Sequence, residues 1–110
     1  MSVSADYIAY LTELFAPLGR IRSKRMFGGA GLYCDELFFA IVIDDVLYLK
    51  VDEHNRAQFE AEGLEPFRYE AKGKLAQMNY YRAPDEALDS PALMHPWARS
   101  ALAAALRAKK

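Results

Sequence analysis

The sequence predicts an α+β domain, an antiparallel five-stranded sheet flanked by helices. Three observations carry that reading. Apolar residues near the start recur at helical spacing. Between Arg20 and Val51 the pattern changes to the period-two alternation and short apolar runs of strands. An alanine-rich helical stripe closes the chain. The 110 residues fit one domain, over 1–110. The element order reads α-β-β-β-α-β-β-α, which needs no parallel crossover.

Ser4 is a good N-cap, and Asp6 suits the positive end of a helix dipole. Ile8, Leu11, Phe15 and Leu18 form the apolar side of this first helix. Pro17 disfavours helix at Ala16, and Gly19 can take the left-handed conformation that ends helices, so the helix is expected from Ser4 to about Pro17. Arg20, Arg22 and Lys24 then alternate with Ile21 and Ser23, as on a strand. Phe27 to Gly31 interrupts the strand and Leu32 to Cys34 resumes it; the glycines read as a bulge or tight bend. Leu37 to Ile43 is a continuous apolar run, as expected of a central strand buried on both faces. Asp35-Glu36 and Asp44-Asp45 read as turns, and Val46 to Val51 as the return strand of a three-stranded meander.

Asp52 is expected to cap a second helix, with Glu53 in its first turn and Gly63 at its end. Phe67 to Glu70 and Leu75 to Tyr81 form two further strands around a turn at Lys72-Gly73. Pro84 starts a short helical turn. Ser90-Pro91 has the pattern of an N-cap and first helical position. Pro96 is expected to break that helix and start another, on which Trp97, Ala101, Ala104, Ala105 and Ala108 share the face that anchors it to the sheet.

Composition narrows the functional classes. Fourteen basic and 15 acidic residues give a formal net charge of −1. Dedicated nucleic-acid binders are usually clearly basic, because phosphate neutralisation supplies most of their affinity. One cysteine, Cys34, excludes a disulfide framework. The N-terminus lacks the pattern of a signal peptide, and the longest apolar run is far short of a membrane span, so a cytoplasmic protein without membrane attachment is expected.

No catalytic or metal constellation stands out. A phosphate loop needs a helix after its glycines, whereas Gly28-Gly29-Ala30-Gly31 is followed by a strand. Cys34 lacks a histidine base that the sequence brings near it, and His54 and His95 lack paired spacing for a metal. The glycine string is expected to serve the backbone: at least one of Gly28, Gly29 and Gly31 should adopt a conformation costly for other residues or permit a close approach. The more suggestive feature is basic and aromatic. Arg22 and Lys24, with Arg25 beside them, combine with Phe27, Gly28, Gly29, Tyr33 and Lys50 into a candidate binding surface, with Tyr48, Tyr69, Tyr80 and Tyr81 as further ring partners. The bland alternative is a solvated strand face with half-buried tyrosines.

Arg25-Met26-Phe27-Gly28-Gly29-Ala30-Gly31-Leu32-Tyr33 is a distinctive string. Phe39-Ala40, Asp45 to Lys50, Pro66 to Tyr69, Met78 to Tyr81 and Trp97 to Leu102 follow it. In this order and spacing they resemble the N-terminal domain of the TfoX/Sxy family, regulators of bacterial DNA-uptake competence. The resemblance spans nearly the whole chain. It implies a fold similar to type III secretion chaperones, and transcriptional regulation rather than catalysis, with no catalytic residues to carry over. The better-known members have a second, C-terminal helical domain, so this chain is expected to be a stand-alone first domain. The resulting expectation is a non-enzymatic, cofactor-free binding module that contacts a protein partner in a regulatory pathway. A homodimer is left open, with weak non-specific nucleic-acid binding at most. The alternatives are direct nucleic-acid binding through Arg20–Arg25 and small-ligand binding near Phe27–Gly31.

Overall fold

The computed structural model describes residues 4–26, 29–71 and 74–109, with side chains at 26 and 69–78 outside the description. Helix α1 spans Ala5–Leu14 and continues into a 3₁₀ turn, Ala16–Leu18. Four strands follow, β1 Ile21–Met26, β2 Gly29–Cys34, β3 Leu37–Ile43 and β4 Val46–Lys50. Helix α2 (Arg56–Ala61), strands β5 (Pro66–Ala71) and β6 (Lys74–Arg82), a 3₁₀ turn (Asp85–Asp89) and helix α3 (Pro91–Ala108) complete the order. Among these residues no helix is long and apolar enough to cross a membrane.

The α+β architecture and the antiparallel sheet match the sequence reading, but the sheet has six strands, ordered β1-β2-β3-β4-β6-β5. The extra strand comes from the glycine segment. Ile21–Met26 and Gly29–Cys34 pair antiparallel with each other, from Ile21 opposite Cys34 to Met26 opposite Gly29. The chain therefore reverses where a bulge within one strand was expected. Phe27 and Gly28 lie outside the described residues, as does the expected turn at Lys72-Gly73. A register shift does occur, but between Leu32 and Tyr33, where β2 pairs with β3.

The close approach expected of a glycine is met at Gly29. A Cβ there would lie 2.0 Å from the carbonyl oxygen of Val42, a backbone atom that cannot swing away. The two acidic turns form as read. Asp35, Glu36, Asp44 and Asp45 all take positive φ, from 50° to 71°, as two-residue hairpins on a right-twisted sheet demand. Gly19, at φ 148° and ψ −157°, occupies a region that is essentially glycine-only.

The helices lie on one side of the sheet. Phe15 of α1 meets Phe39 of β3 edge to face at 5.0 Å, and Phe59 of α2 meets Trp97 of α3 at 5.0 Å and Tyr81 of β6 at 6.0 Å. Leu32, Ala40, Val42, Leu47 and Leu49 form the sheet floor of this core. Met94, Ala98, Ala101 and Ala105 are the buried face of α3, and the small alanines let the helix lie close.

Three helix boundaries differ from expectation. Helix α1 ends at Leu14 rather than near Pro17, and Ala16–Leu18 form a 3₁₀ turn. Helix α3 runs unbroken through Pro96. Ser90 caps it, its Oγ accepting from the Leu93 amide at 3.1 Å. Proline removes one hydrogen bond, that to the carbonyl of Ala92, and both residues sit on the exposed side where water can serve that carbonyl. Helix α2 starts at Arg56 rather than after Asp52. The Asp52 carboxylate accepts from the amides of His54 (2.9 Å) and Asn55 (3.3 Å), so it closes a turn instead of capping a helix. Asn55 is buried and fixes that turn. Its Oδ1 accepts from the Asp52 amide at 2.7 Å, and its Nδ2 donates to the Ser100 hydroxyl at 3.0 Å on α3. The Asp52 carboxylate also accepts from Arg107 Nε at 2.6 Å and from its Nη2 at 2.9 Å. That pairing, followed by the amide bonds, holds its pKa down to about 2.

Gly29→Val is expected to abolish folding, read as loss of the cooperative thermal transition, because the side chain collides with the backbone of the central strand. Phe59, fully buried, should cost about 3–5 kcal/mol on truncation to alanine in chemical denaturation. Trp97 is only partly covered, so Trp97→Ala should cost less than Phe59→Ala. Equal losses would mean that the tryptophan is the anchor of the last helix.

Candidate binding face

The opposite face of the sheet carries no helix among the described residues, and the pleat decides what stands on it. Arg22 opposes Tyr33 in register, Lys24 opposes Gly31, and Gly31 opposes Ile41, which opposes Tyr48. Tyr48 in turn opposes Arg82, and Lys50 opposes Tyr80. Directly paired residues of an antiparallel sheet point to the same side. Arg22, Lys24, Gly29, Tyr33 and Lys50, expected from sequence to act together, therefore do share one face.

Arg25 does not join them. It pairs with Ala30, which is buried in the helix-side core, so it leaves on the other face. The sequence placed Arg25 beside Arg22 and Lys24 because the four basic residues are close in the chain, whereas alternate strand residues point oppositely. Tyr81 also faces the helices, its hydroxyl donating to Glu60 at 2.8 Å. Phe27 and Gly28 lie outside the described residues, and so does the side chain of Tyr69.

The shared face is built around a row of rings. The Arg22 guanidinium lies 4.8 Å from the centre of the Tyr33 ring. Tyr33 stacks on Phe38 at 5.0 Å with 21° between planes, and Phe38 meets Tyr80 at 5.9 Å. The Lys50 ammonium closes the row, 5.1 Å from the Tyr80 ring. Arg22 and Phe38 belong to strands on opposite sides of β2, so Tyr33 is sandwiched between them. Alongside the row, Tyr48 packs edge-on against Phe67 at 4.9 Å. Ile41 and Tyr80 are only 6 % and 5 % exposed although no helix covers them among the described residues. Burial, with the neighbouring Tyr33 second, pushes the Tyr80 hydroxyl up to about 12.

Phe38 was missed by the sequence reading because Leu37 to Ile43 looks uniformly apolar. The period shows only that Phe38 and Phe39, being adjacent in a strand, face opposite sides; which of them joins the rings is set by the register shift, which pairs Leu32 with Ala40 but Tyr33 with Phe38.

Charge on the molecule is mixed. Arg22 pairs with Glu36 at 2.8 Å, Arg82 with Asp85 at 3.8 Å, and Arg107 with Asp52 at 2.6 Å. An open cleft of about 430 Å³ beside Lys50 is lined by His54, Arg56 and Arg107 together with Asp52 and Glu53. Cys34 is fully buried, and burial raises its thiol pKa, the opposite of what a nucleophile needs. Among the described residues no three His, Cys, Asp or Glu side chains are grouped to hold a metal ion.

A sequence profile of the TfoX N-terminal domain matches residues 13–105. The chain is 38% identical over 64 residues to the DNA transformation protein TfoX1 of Aliivibrio fischeri, covering 58% of this chain and 31% of that protein. It is 33% identical over 87 residues to protein Sxy of Escherichia coli K12, covering 79% of this chain and 41% of that one. The chain thus spans less than half the length of these curated relatives.

Tyr80 provides a pH test of the row. Its ordinary value is about 10, and its folded value is raised. The folded state therefore holds the phenol proton more tightly than the unfolded state does. The associated stability is fully present below pH 10 and is lost as the pH rises from 10 towards 12. Denaturation followed across that window should show a shallower alkaline decline in Tyr80→Phe than in the unaltered chain. Parallel curves would place Tyr80 in water.

Proposed function

We propose a non-enzymatic binding role for this chain, which belongs to the TfoX N-terminal domain family. In this reading it is a regulatory module in a DNA-transformation pathway, acting through protein contacts. The name of the Aliivibrio fischeri relative supports the pathway. One observation supports protein over nucleic acid: the rings of the basic face are already engaged by one another and by its cations. Single-stranded nucleic acid is gripped by stacking bases on free ring faces. Tyr33 has Arg22 on one side and Phe38 on the other, and Tyr80 has Lys50 over its ring. What the face offers is a rigid surface of ring edges, aliphatic stems and charges, the mixture that protein interfaces use. The nearly neutral net charge agrees, since it gives a phosphate backbone little long-range attraction.

The rival reading, direct nucleic-acid binding, draws on Lys24, a cation with no acid partner among the described residues. Fluorescence anisotropy with random duplex and single-stranded oligonucleotides at two salt concentrations separates the two. Only marginal binding is expected near physiological salt. Submicromolar affinity that survives the higher salt, and is lost in Lys24→Glu/Lys50→Glu, would replace the protein-contact reading with its rival.

A further inference from the structure

The helix layer carries a second surface, on the side of the molecule away from the ring row. Along α3, His95, Arg99, Leu102 and Leu106 fall at i, i+4, i+7 and i+11, one stripe of the helix. With Ala103 of α3, Pro17 and Leu18 of the 3₁₀ turn, and Leu37 at the start of β3, they line an open groove of about 400 Å³. Its apolar floor is poorly covered. Leu106 is 60 % exposed, among the most exposed large hydrophobic side chains described, and Leu18, Leu37 and Leu102 are half-buried.

The charge on this groove has one sign. His95 and Arg99 are its only ionisable lining groups, and neither side chain has a hydrogen bond or ion pair among the described residues. The nearest acidic turn in sequence is turned to other use: Glu36 is bound by Arg22, and Asp35 lines a separate cleft with Arg20. A leucine floor beside the Arg99 guanidinium, which has no acid partner among the described residues, is complementary to a helix with apolar residues on one face and carboxylates flanking them.

We propose that this groove docks an acidic amphipathic helix of a partner protein. Apolar side chains of the helix, spaced i, i+4 and i+7, would sit on Leu18, Leu37, Leu102 and Leu106. A glutamate or aspartate one turn along would meet Arg99, with His95 at the same rim. This deepens the protein-contact reading by naming a partner's chemistry, and it uses none of the residues of the ring row.

The probe is a labelled helical peptide of about four turns, with leucines at those spacings and glutamates flanking them. A second peptide carries lysine in place of every glutamate. With the unaltered chain, saturable binding is expected for the acidic peptide, weakening with salt, and little for the basic one. Arg99→Glu and Leu106→Asp, both at exposed positions and checked for native helicity by circular dichroism, should each weaken it about tenfold or more. Lys24→Glu, on the ring-bearing face, should leave it unchanged. Equal binding of both peptides, no binding of the acidic one, or loss in Lys24→Glu but not in Arg99→Glu would overturn the proposal. None of these outcomes depends on whether the ring-bearing face binds nucleic acid.

Discussion

Strand β3 is covered on both faces, and the rest of the structure follows from that. Phe39 turns into the helix layer, where it meets Phe15 edge to face. Phe38, one residue earlier, turns the other way and stacks on Tyr33. A strand in this position needs apolar residues at nearly every site, which is why Leu37 to Ile43 contains no polar residue. Its backbone is approached as closely as its side chains. Gly29 of β2 lies so near the Val42 carbonyl that no side chain fits between them. The glycine and the apolar run are two parts of one constraint, the close pairing of β2 with a sealed central strand.

The two coverings differ in kind. The helix side is an ordinary core, closed by leucines, phenylalanines and the alanine face of α3. Polar pins hold its periphery. The buried Asn55 amide ties the turn after β4 to Ser100 of α3, and Asp52 grips Arg107 near the end of the same helix. An unpaired amide at that depth would be costly, so the turn and the helix are fixed relative to each other. The other side is sealed without helices, by rings lying against one another with Arg22 and Lys50 at the two ends of the row. These cations carry their charge to the surface while their stems and heads cover aromatic area.

That arrangement bears on recognition. A sheet face with free aromatic faces and many cations is a stacking platform. A face whose rings are already paired is a rigid patch, and rigidity lowers the cost of binding a shaped protein surface. The cations divide in the same way. Arg22, Arg82 and Arg107 are each paired with a carboxylate, while Lys24 and Arg99, on opposite layers, have no acid partner among the described residues. The molecule therefore presents two chemically distinct surfaces, an aromatic and basic one on the sheet and a leucine-floored one between α3 and the turn after α1.

The sequence alone determined whatever depends on neighbours along the chain. Helical spacing located α1, Ser90-Pro91 located the start of α3, and Asp35-Glu36 and Asp44-Asp45 located two hairpin turns, because caps, periods and turn preferences are local properties. The separated motifs likewise identified the TfoX N-terminal family. What depended on distant partners was decided only by the tertiary structure. The glycine string reads as a bulge within one strand, whereas antiparallel pairing of Ile21–Met26 with Gly29–Cys34 makes two strands of that segment and adds a sixth to the sheet. Pro96 stays inside α3 because the carbonyl it deprives is on the exposed side, and chain order does not reveal which side that is. Arg25 parted from Arg22 and Lys24 through the pleat. Lys50 reached Tyr80, 30 residues away, because β4 pairs with β6. Sequence patterns record which residues want burial, but which faces meet is set by long-range pairing and close packing that no local window contains.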